Sequence, residues 1–271
     1  MRFAHLLSRL TGTLWLITED SLANITSLVE ARINGTLPAG TLPAGTVAVD
    51  TAPAPVSAPA GVAVIPVFGV IGKRLSAMEM ACGGCDIDSL ATAFDAANAD
   101  ANISAIVLHI DSPGGTVQGV PELAQHIATT KAKPVRAVSD TMIGSAAYYI
   151  AAAADEIVTT PTAQVGSIGT ALAVKEATGN AEPNSPTRLR VFRSGEHKLM
   201  GADKPLTEAQ AAAMQARVDL LGDQFRAFVS AQRGRRVEAE TMQGLSYFGD
   251  EAVARGLSDR VVQSLAQAIA P

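Results

Sequence analysis

Aromatic side chains are scarce in this chain: they make up 4% of its 271 residues, with one tryptophan, Trp15. Core volume therefore has to come from Ala, Val, Leu and Ile, and the 48% hydrophobic content suffices for one domain of ordinary to large size with some extra. Cysteine is nearly absent. Cys82 and Cys85 cannot build a disulfide framework, so a reducing compartment is expected. Positive charge is also in deficit, 21 Lys and Arg against 26 Asp and Glu for a net charge of −5, which argues against nucleic acid or anionic lipid as the main partner. Long apolar runs are missing. The uninterrupted run Leu14–Ile17 is far shorter than a signal-peptide core, and no stretch approaches the ~20 apolar residues of a membrane span, so a soluble, intracellular protein without an anchor is expected. There is no G-x-S-x-G elbow and no G-x-x-x-x-G-K-[ST] loop, which disfavours an α/β-hydrolase and a built-in ATPase. Cys82-Gly83-Gly84-Cys85 has the spacing of half a zinc site, but no second Cys/His pair follows. It reads as a flexible loop, and neither metal nor cofactor is expected.

What is present falls into three parts. Residues 1–34 read as a small helical leader, with Ser21 positioned to cap a helix carrying Leu22, Ile25, Leu28, Val29 and Ile33 at helical spacing. Residues 35–60 change character: GTLPA is repeated in tandem at Gly35–Ala39 and Gly40–Ala44, and a Pro/Ala-rich stretch follows, the composition of a linker. Residues 61–271 are the folded domain. VAVIPVFGVIG (Val62–Gly72) reads as one buried strand, Ile87–Asn98 as a helix and ISAIVLHI (Ile103–Ile110) as a second buried strand. Asp111–Gly115 is a sharp turn and Val120–Thr130 a helix with Pro121 in its first turn. Strands at Val135–Val138 and Glu156–Thr159 flank a helix opening at Ser145, Val165–Ala173 is a further glycine-marked apolar run, and Leu189–Phe192 reads as another short strand. Thr178–Thr187 and Arg193–Pro205 are loops. A long helix follows, with a Thr207/Gln210 capping box and a stripe of Met214, Val218, Leu221, Phe225 and Phe228. A short helix stops at Gly256, and Arg260–Val262 adds a last strand. Strands alternating with helices predict an α/β fold with crossover connections.

The chemistry centres on Thr141–Asp155, TMIGSAAYYIAAAAD. A tight turn opening into a buried helix puts Ser145 in the first turn, where unpaired backbone N–H groups and the dipole favour negative charge. The turn Asp111–Gly115 ends in Pro-Gly-Gly, whose N–H groups no Cβ shields. Each feature alone is commonplace, a serine N-cap and a structural glycine turn; together, a serine with two candidate oxyanion donors suits acyl transfer. The serine needs a base. Of the four histidines, His5 is in the leader, His109 in a buried strand and His126 in a helix, while His197 stands beside Lys198 in the glycine-rich loop. A lysine serves as base when desolvation lowers its pKa, with Leu199 and Met200 available as apolar cover. The residues alone leave the choice between His197 and Lys198 open.

Blocks in order resemble the signal peptide peptidase A type of serine peptidase with its phage capsid-assembly relatives: VAVIPVFGVIG, IVLHIDSPGG, IGSAAYYIAAAADEIV, AQVGSIGT, RSGEHKLMG, the helix ending FVSAQRG, and FGDEAVARGLSDRVV, from about Val62 to Val262. The resemblance implies a crotonase/Clp-like α/β fold and a Ser–Lys dyad, with Ser145 matching the nucleophile and Lys198 the general base. It further implies an oxyanion hole at Gly115 and the backbone N–H of Ala146, and Ser167 as the residue that orients the lysine. Cellular members of the family are membrane-anchored; the leader here instead looks like that of phage head proteases, implying capsid, portal or scaffold proteins as substrates in the host cytoplasm or procapsid. A homo-oligomer is implied, with the 207–232 helix as a packing surface. The alternatives are a cellular peptidase degrading signal peptides and a catalytically silent shell protein of the same fold. A linker of this composition is also expected to be self-trimmed between about Gly35 and Gly61.

Overall fold

The computed structural model describes residues 13–18, 21–23, 25, 27, 56–58, 61–76, 79–80, 83–174, 200 and 205–270. Through these the chain runs β1 (Leu14–Ile17), β2 (Val56–Ala58), β3 (Val62–Phe68), β4 (Val70–Gly72), β5 (Gly84–Asp86), α1 (Ile87–Ala99), β6 (Ala105–Asp111), β7 (Gly114–Thr116), α2 (Val120–Thr130), β8 (Val135–Ser139), β9 (Met142–Gly144) and α3 (Ala146–Ala151). It continues β10 (Glu156–Thr159), β11 (Gln164–Gly166), β12 (Ala171–Leu172), α4 (Glu208–Arg233), β13 (Ser246–Phe248), α5 (Gly249–Ala254), β14 (Arg260–Val261) and α6 (Leu265–Ile269).

The β-branched runs, apolar on both faces, become the middle of a six-stranded sheet ordered β14-β10-β8-β6-β3-β2. β3, β6, β8, β10 and β14 run parallel in sequence order, and β2 closes one edge antiparallel to β3. Each central strand then turns a corner into a short strand outside this sheet: β3 into β4, β6 into β7, β8 into β9 and β10 into β11. The short strands stack in the same direction, β4 parallel to β7, β9 parallel to β11, with a parallel bridge from Ser112 to Ile143 joining the two pairs. The fold is therefore a strand–corner–strand unit repeated along the chain, with α1, α2 and α3 as crossovers.

The corner at Gly69 shows why these turns need glycine. Gly69 has φ 75°, its N–H donates to the Asp111 carbonyl at 2.8 Å, and a Cβ there would lie 1.7 Å from the Gly83 oxygen. Val62–Gly72, expected as one strand, is for this reason two strands in different sheets. Three other expectations are corrected locally. Leu14–Ile17, inside the supposed helical leader, is a strand paired on both sides. Val56–Ala58, inside the supposed linker, pairs with β3. Gly84 and Cys85 belong to β5 rather than a flexible loop, and burial with the Asp86 charge pushes the Cys85 thiol up to about 12, which makes it an inert thiol. The expected loop Thr178–Thr187, all of Arg193–Pro205 but Met200 and Pro205, the strand at Leu189–Phe192 and nearly all of the Gly35–Gly61 stretch lie outside the described residues.

The long helix has the expected capping box: Thr207 accepts from the Gln210 N–H at 3.2 Å and Gln210 Oε1 accepts from the Thr207 N–H at 3.3 Å. Of the expected stripe only Phe225 is fully buried, because α4 meets the core toward its C-terminal half, where Tyr149 stacks between Phe225 and Phe228 with centroids 4.6 and 4.7 Å away. At the end of α4, Arg233 is buried at 3% exposure; its Nη2 lies 2.9 Å from Asp259 Oδ1. Asp259 also accepts from the Ile157 N–H at 2.8 Å and from Arg236 at 2.9 Å. Burial pulls the Asp259 carboxyl up, but the Arg233 bond, the Ile157 N–H and the two arginine charges outweigh it, so its pKa falls below the usual carboxylate value. Stability from this group is thus present above the ordinary carboxylate pKa and lost as pH falls through the depressed folded value. Asp259→Asn, which leaves Arg233 buried without a countercharge, is expected to lower unfolding free energy at neutral pH by about 3 kcal/mol, with a smaller deficit near pH 3. Urea unfolding at both pH values checks it; equal deficits would contradict the assignment.

Candidate active site

Ser145 stands at the junction of β9 and α3, in a conformation an L-residue seldom adopts, φ 48° and ψ −108°. Three contacts hold it there. Its N–H donates to the Gly166 carbonyl at 2.8 Å, its carbonyl accepts from the Tyr149 N–H at 2.9 Å, and α3, every residue of which is buried, anchors the far side. Its side chain is 1% exposed, and its Oγ has no hydrogen-bond partner among the described residues. A buried hydroxyl left unpaired costs about 1–3 kcal/mol, so such a group in a native fold calls for an explanation.

The expected oxyanion donors lie beside it. A Cβ on Gly114, which has φ 108°, would fall 3.0 Å from Ala146 N and 3.0 Å from the Gly144 carbonyl oxygen. On Gly115 it would fall 1.8 Å from the Ile71 oxygen. Both glycines are therefore required for main chains to approach this closely. Ser112 ties the turn: its Oγ donates to the Gly69 carbonyl at 2.6 Å and accepts from the Gly114 N–H at 3.2 Å, coupling two corners of the repeat. Ser167 is brought to the same place by register. Gly144 pairs with Gly166 in the parallel β9–β11 ladder, so Ser145 and Ser167 each follow a glycine at the end of neighbouring strands. Ser167 shares the positive φ, 55°, and its N–H donates to the Leu245 carbonyl at 2.8 Å.

The structure thus brings together Ser145, Ser167, Gly115 and the N-terminus of α3. Lys198, His197 and His5 lie outside the described residues. His109 is half-buried, edge-on to Phe68 and 3.6 Å from Asp140, and His126 pairs with Asp95 at 2.7 Å on the surface. Sequence reasoning missed the strand β1, which lies between β7 and β12 across this site. Its signal is the short uninterrupted apolar run LWLI between two β-branched threonines, in a segment otherwise dominated by helical spacing.

A model of peptidase family S49 matches residues 127–270, more than half of the chain. Capsid assembly protease C of Escherichia phage lambda is 32% identical over 207 residues, 75% of this chain and 47% of that protein. Head-tail preconnector protein GP5 of Enterobacteria phage P21 is 30% identical over 207 residues, 75% of this chain and 41% of that protein. The chain thus spans less than half the length of these curated relatives. Among solved structures it is similar to an enoyl-CoA hydratase/isomerase from Marinobacter aquaeolei, with 15% identity and a TM-score of 0.47 over 78% of this chain and 70% of that one. It is also similar to the ClpP protease catalytic domain from Plasmodium falciparum, with 12% identity and a TM-score of 0.45 over 76% of this chain and 86% of that one. Among the described residues no helix is long and apolar enough to cross a membrane.

The backbone strain at residue 145 has a measurable consequence. Glycine adopts this φ and ψ freely whereas alanine does not, so Ser145→Gly is expected to be more stable than Ser145→Ala by about 1 kcal/mol, the relieved strain exceeding the extra freedom glycine gives the unfolded chain. Thermal unfolding of the pair decides; an alanine variant as stable as the glycine variant would mean that the turn is unstrained.

Proposed function

The chain belongs to peptidase family S49, and from that premise we propose that it is a serine endopeptidase in which Ser145 is the nucleophile and Lys198 the general base. The observation that carries this is the strained, buried Ser145 hydroxyl, which has no hydrogen-bond partner among the described residues, at the α3 N-terminus near the Gly114–Gly115 turn. An unpaired buried Oγ is the natural partner for a base supplied by the 193–205 loop. In acylation, Ser145 Oγ attacks the scissile carbonyl while Lys198 takes the hydroxyl proton. The carbonyl oxygen gathers charge toward the backbone N–H groups of Gly115 and Ala146. The tetrahedral adduct collapses, the C–N bond breaks, and Lys198 returns the proton to the leaving amine. Water then attacks the ester with Lys198 again as base, and Ser145 is regenerated. Ser167, in register beside Ser145, is assigned to orient the lysine. The natural substrates proposed are capsid, portal or scaffold proteins of a phage procapsid, supported by the phage relatives, whose names concern capsid assembly and head–tail connection. A homo-oligomer is proposed with it.

On a fluorogenic peptide panel, Ser145→Ala and Lys198→Ala are each expected to lose about three orders of magnitude in turnover or more, and the double variant to be scarcely worse than either, because the two act as a unit. Wild-type kcat/KM should rise with pH as the lysine gives up its proton, through an apparent pKa below that of free lysine. Full activity in Lys198→Ala with loss in His197→Ala, or a profile flat from mildly acid to alkaline pH, would overturn the choice of base.

A further inference from the structure

Strand β1 is antiparallel to both of its neighbours, with Leu14 and Trp15 against Leu172 and Ala171 of β12, and Trp15, Leu16 and Ile17 against Thr116, Gly115 and Gly114 of β7. It is the second strand of the five-stranded sheet ordered β12-β1-β7-β4-β5, outside the six-stranded sheet. The Thr18 N–H donates to the Pro113 carbonyl at 3.0 Å, and the Val117 N–H to the Leu14 carbonyl at 3.1 Å. Hydrogen-bonded pairs alternate in an antiparallel ladder, so the pair lying between these two, Leu16 with Gly115, is also of the bonded kind. That turns the Leu16 carbonyl toward the Gly115 N–H, one of the two groups assigned to the oxyanion. The point where a Gly114 Cβ would sit is 2.1 Å from the Leu16 carbonyl oxygen and 3.0 Å from Ala146 N, so the carbonyl and the second assigned group border the same spot. Downstream, the Thr18 Cγ2 is 3.0 Å from where a Gly144 Cβ would sit, directly before Ser145. Leu14–Thr18 therefore passes both the Gly114–Gly115 turn and Gly144, the residue before Ser145, with the Leu16 carbonyl at Gly115.

Its side chains alternate as a bound strand's would. Leu16, 1% exposed, enters the main core, with Leu14 packed against it. Trp15 and Ile17 turn the other way into a separate small cluster with Leu22, Ile25 and Val70.

Resting on the reading of Ser145 as nucleophile, we propose that the gap between β7 and β12 is a groove for an extended polypeptide strand. It takes a branched aliphatic side chain at the residue whose carbonyl faces Gly115, and Leu14–Thr18 is its resident intramolecular occupant. Main-chain pairing to β7 and β12 supplies affinity for any such strand, and the apolar recess filled by Leu16 supplies selectivity. Another polypeptide enters only after β1 leaves, and the tether makes β1 a competitor at an effective concentration on the order of millimolar.

Trp15, the one tryptophan of the chain and 6% exposed, reports directly on whether β1 is seated. In full-length Ser145→Ala, acrylamide quenching of its fluorescence is measured while a peptide of residues 11–20 carrying Trp15→Phe is added. Quenching is expected to rise at least about threefold and to saturate in the millimolar range. Quenching unmoved at saturating peptide would make β1 a permanent strand of the fold and overturn the proposal, whatever the turnover. Leu16→Asp in the otherwise wild-type chain, its fold checked by circular dichroism, is expected to raise kcat/KM on a fluorogenic peptide at least about tenfold. An active wild type with a folded Leu16→Asp that is no faster would also overturn it. Peptide-dependent quenching with no turnover in any variant would keep the groove and its occupant and reject the nucleophile instead.

Discussion

The structure depends on how closely main chains pass one another where the parallel strands turn their corners. At Gly69, Gly114 and Gly115 there is no room for a β-carbon: the nearest backbone oxygens would lie 1.7, 2.1 and 1.8 Å from it. That steric limit lets β4, β7 and β9 stack outside the main sheet, and Ser112 ties two of the corners to each other through the Gly69 carbonyl and the Gly114 N–H. The Gly69 N–H is taken by the Asp111 carbonyl and the Gly114 N–H by Ser112 Oγ, while Gly115 lies opposite Leu16 of β1. Packing and chemistry use the same absence of side chain.

Ser145 is the complementary case, a residue with a side chain where the backbone suits glycine. Its neighbours over-determine it: the ladder bond to Gly166 on one side and the fully buried α3 on the other. The strain is carried by the fold, and it fixes the backbone from which the hydroxyl projects, next to Ala146 at the start of α3. Rigid placement of this kind is what acyl transfer needs, since a displaced nucleophile forfeits most of the benefit of its donors. The serine is also shut from solvent, and on the proposed reading β1 is the strand that leaves before a substrate arrives.

Much of this was legible in the sequence because the signals are local. ISAIVLHI and EIVT are β-branched runs bounded by turn residues, Val120–Thr130 has helical spacing behind a proline, and Thr207/Gln210 form a capping box; each appears within a residue or two of expectation. The placement of Gly115, Ser145 and Ser167 side by side was recoverable only through resemblance, because it arises from parallel pairing between strands far apart in the chain. β1, β2 and the break at Gly69 were missed for one physical reason. A three- or four-residue strand has too few side chains to show a period, and what fixes it is the partner strand, which lies nearly a hundred residues away for β1. The α4 stripe erred the other way: its spacing is helical throughout, but only the end that meets Tyr149 is covered.

The central claim is that Ser145 is the activated nucleophile of the chain. Incubating native protein with a fluorophosphonate and mapping the adduct by peptide mass spectrometry tests it most directly. The expected result is one stoichiometric adduct, on Ser145, formed far more slowly in Lys198→Ala and absent after denaturation. Modification of Ser112 or Ser167 in its place, or labelling of Ser145 at the same rate with and without Lys198, would contradict it.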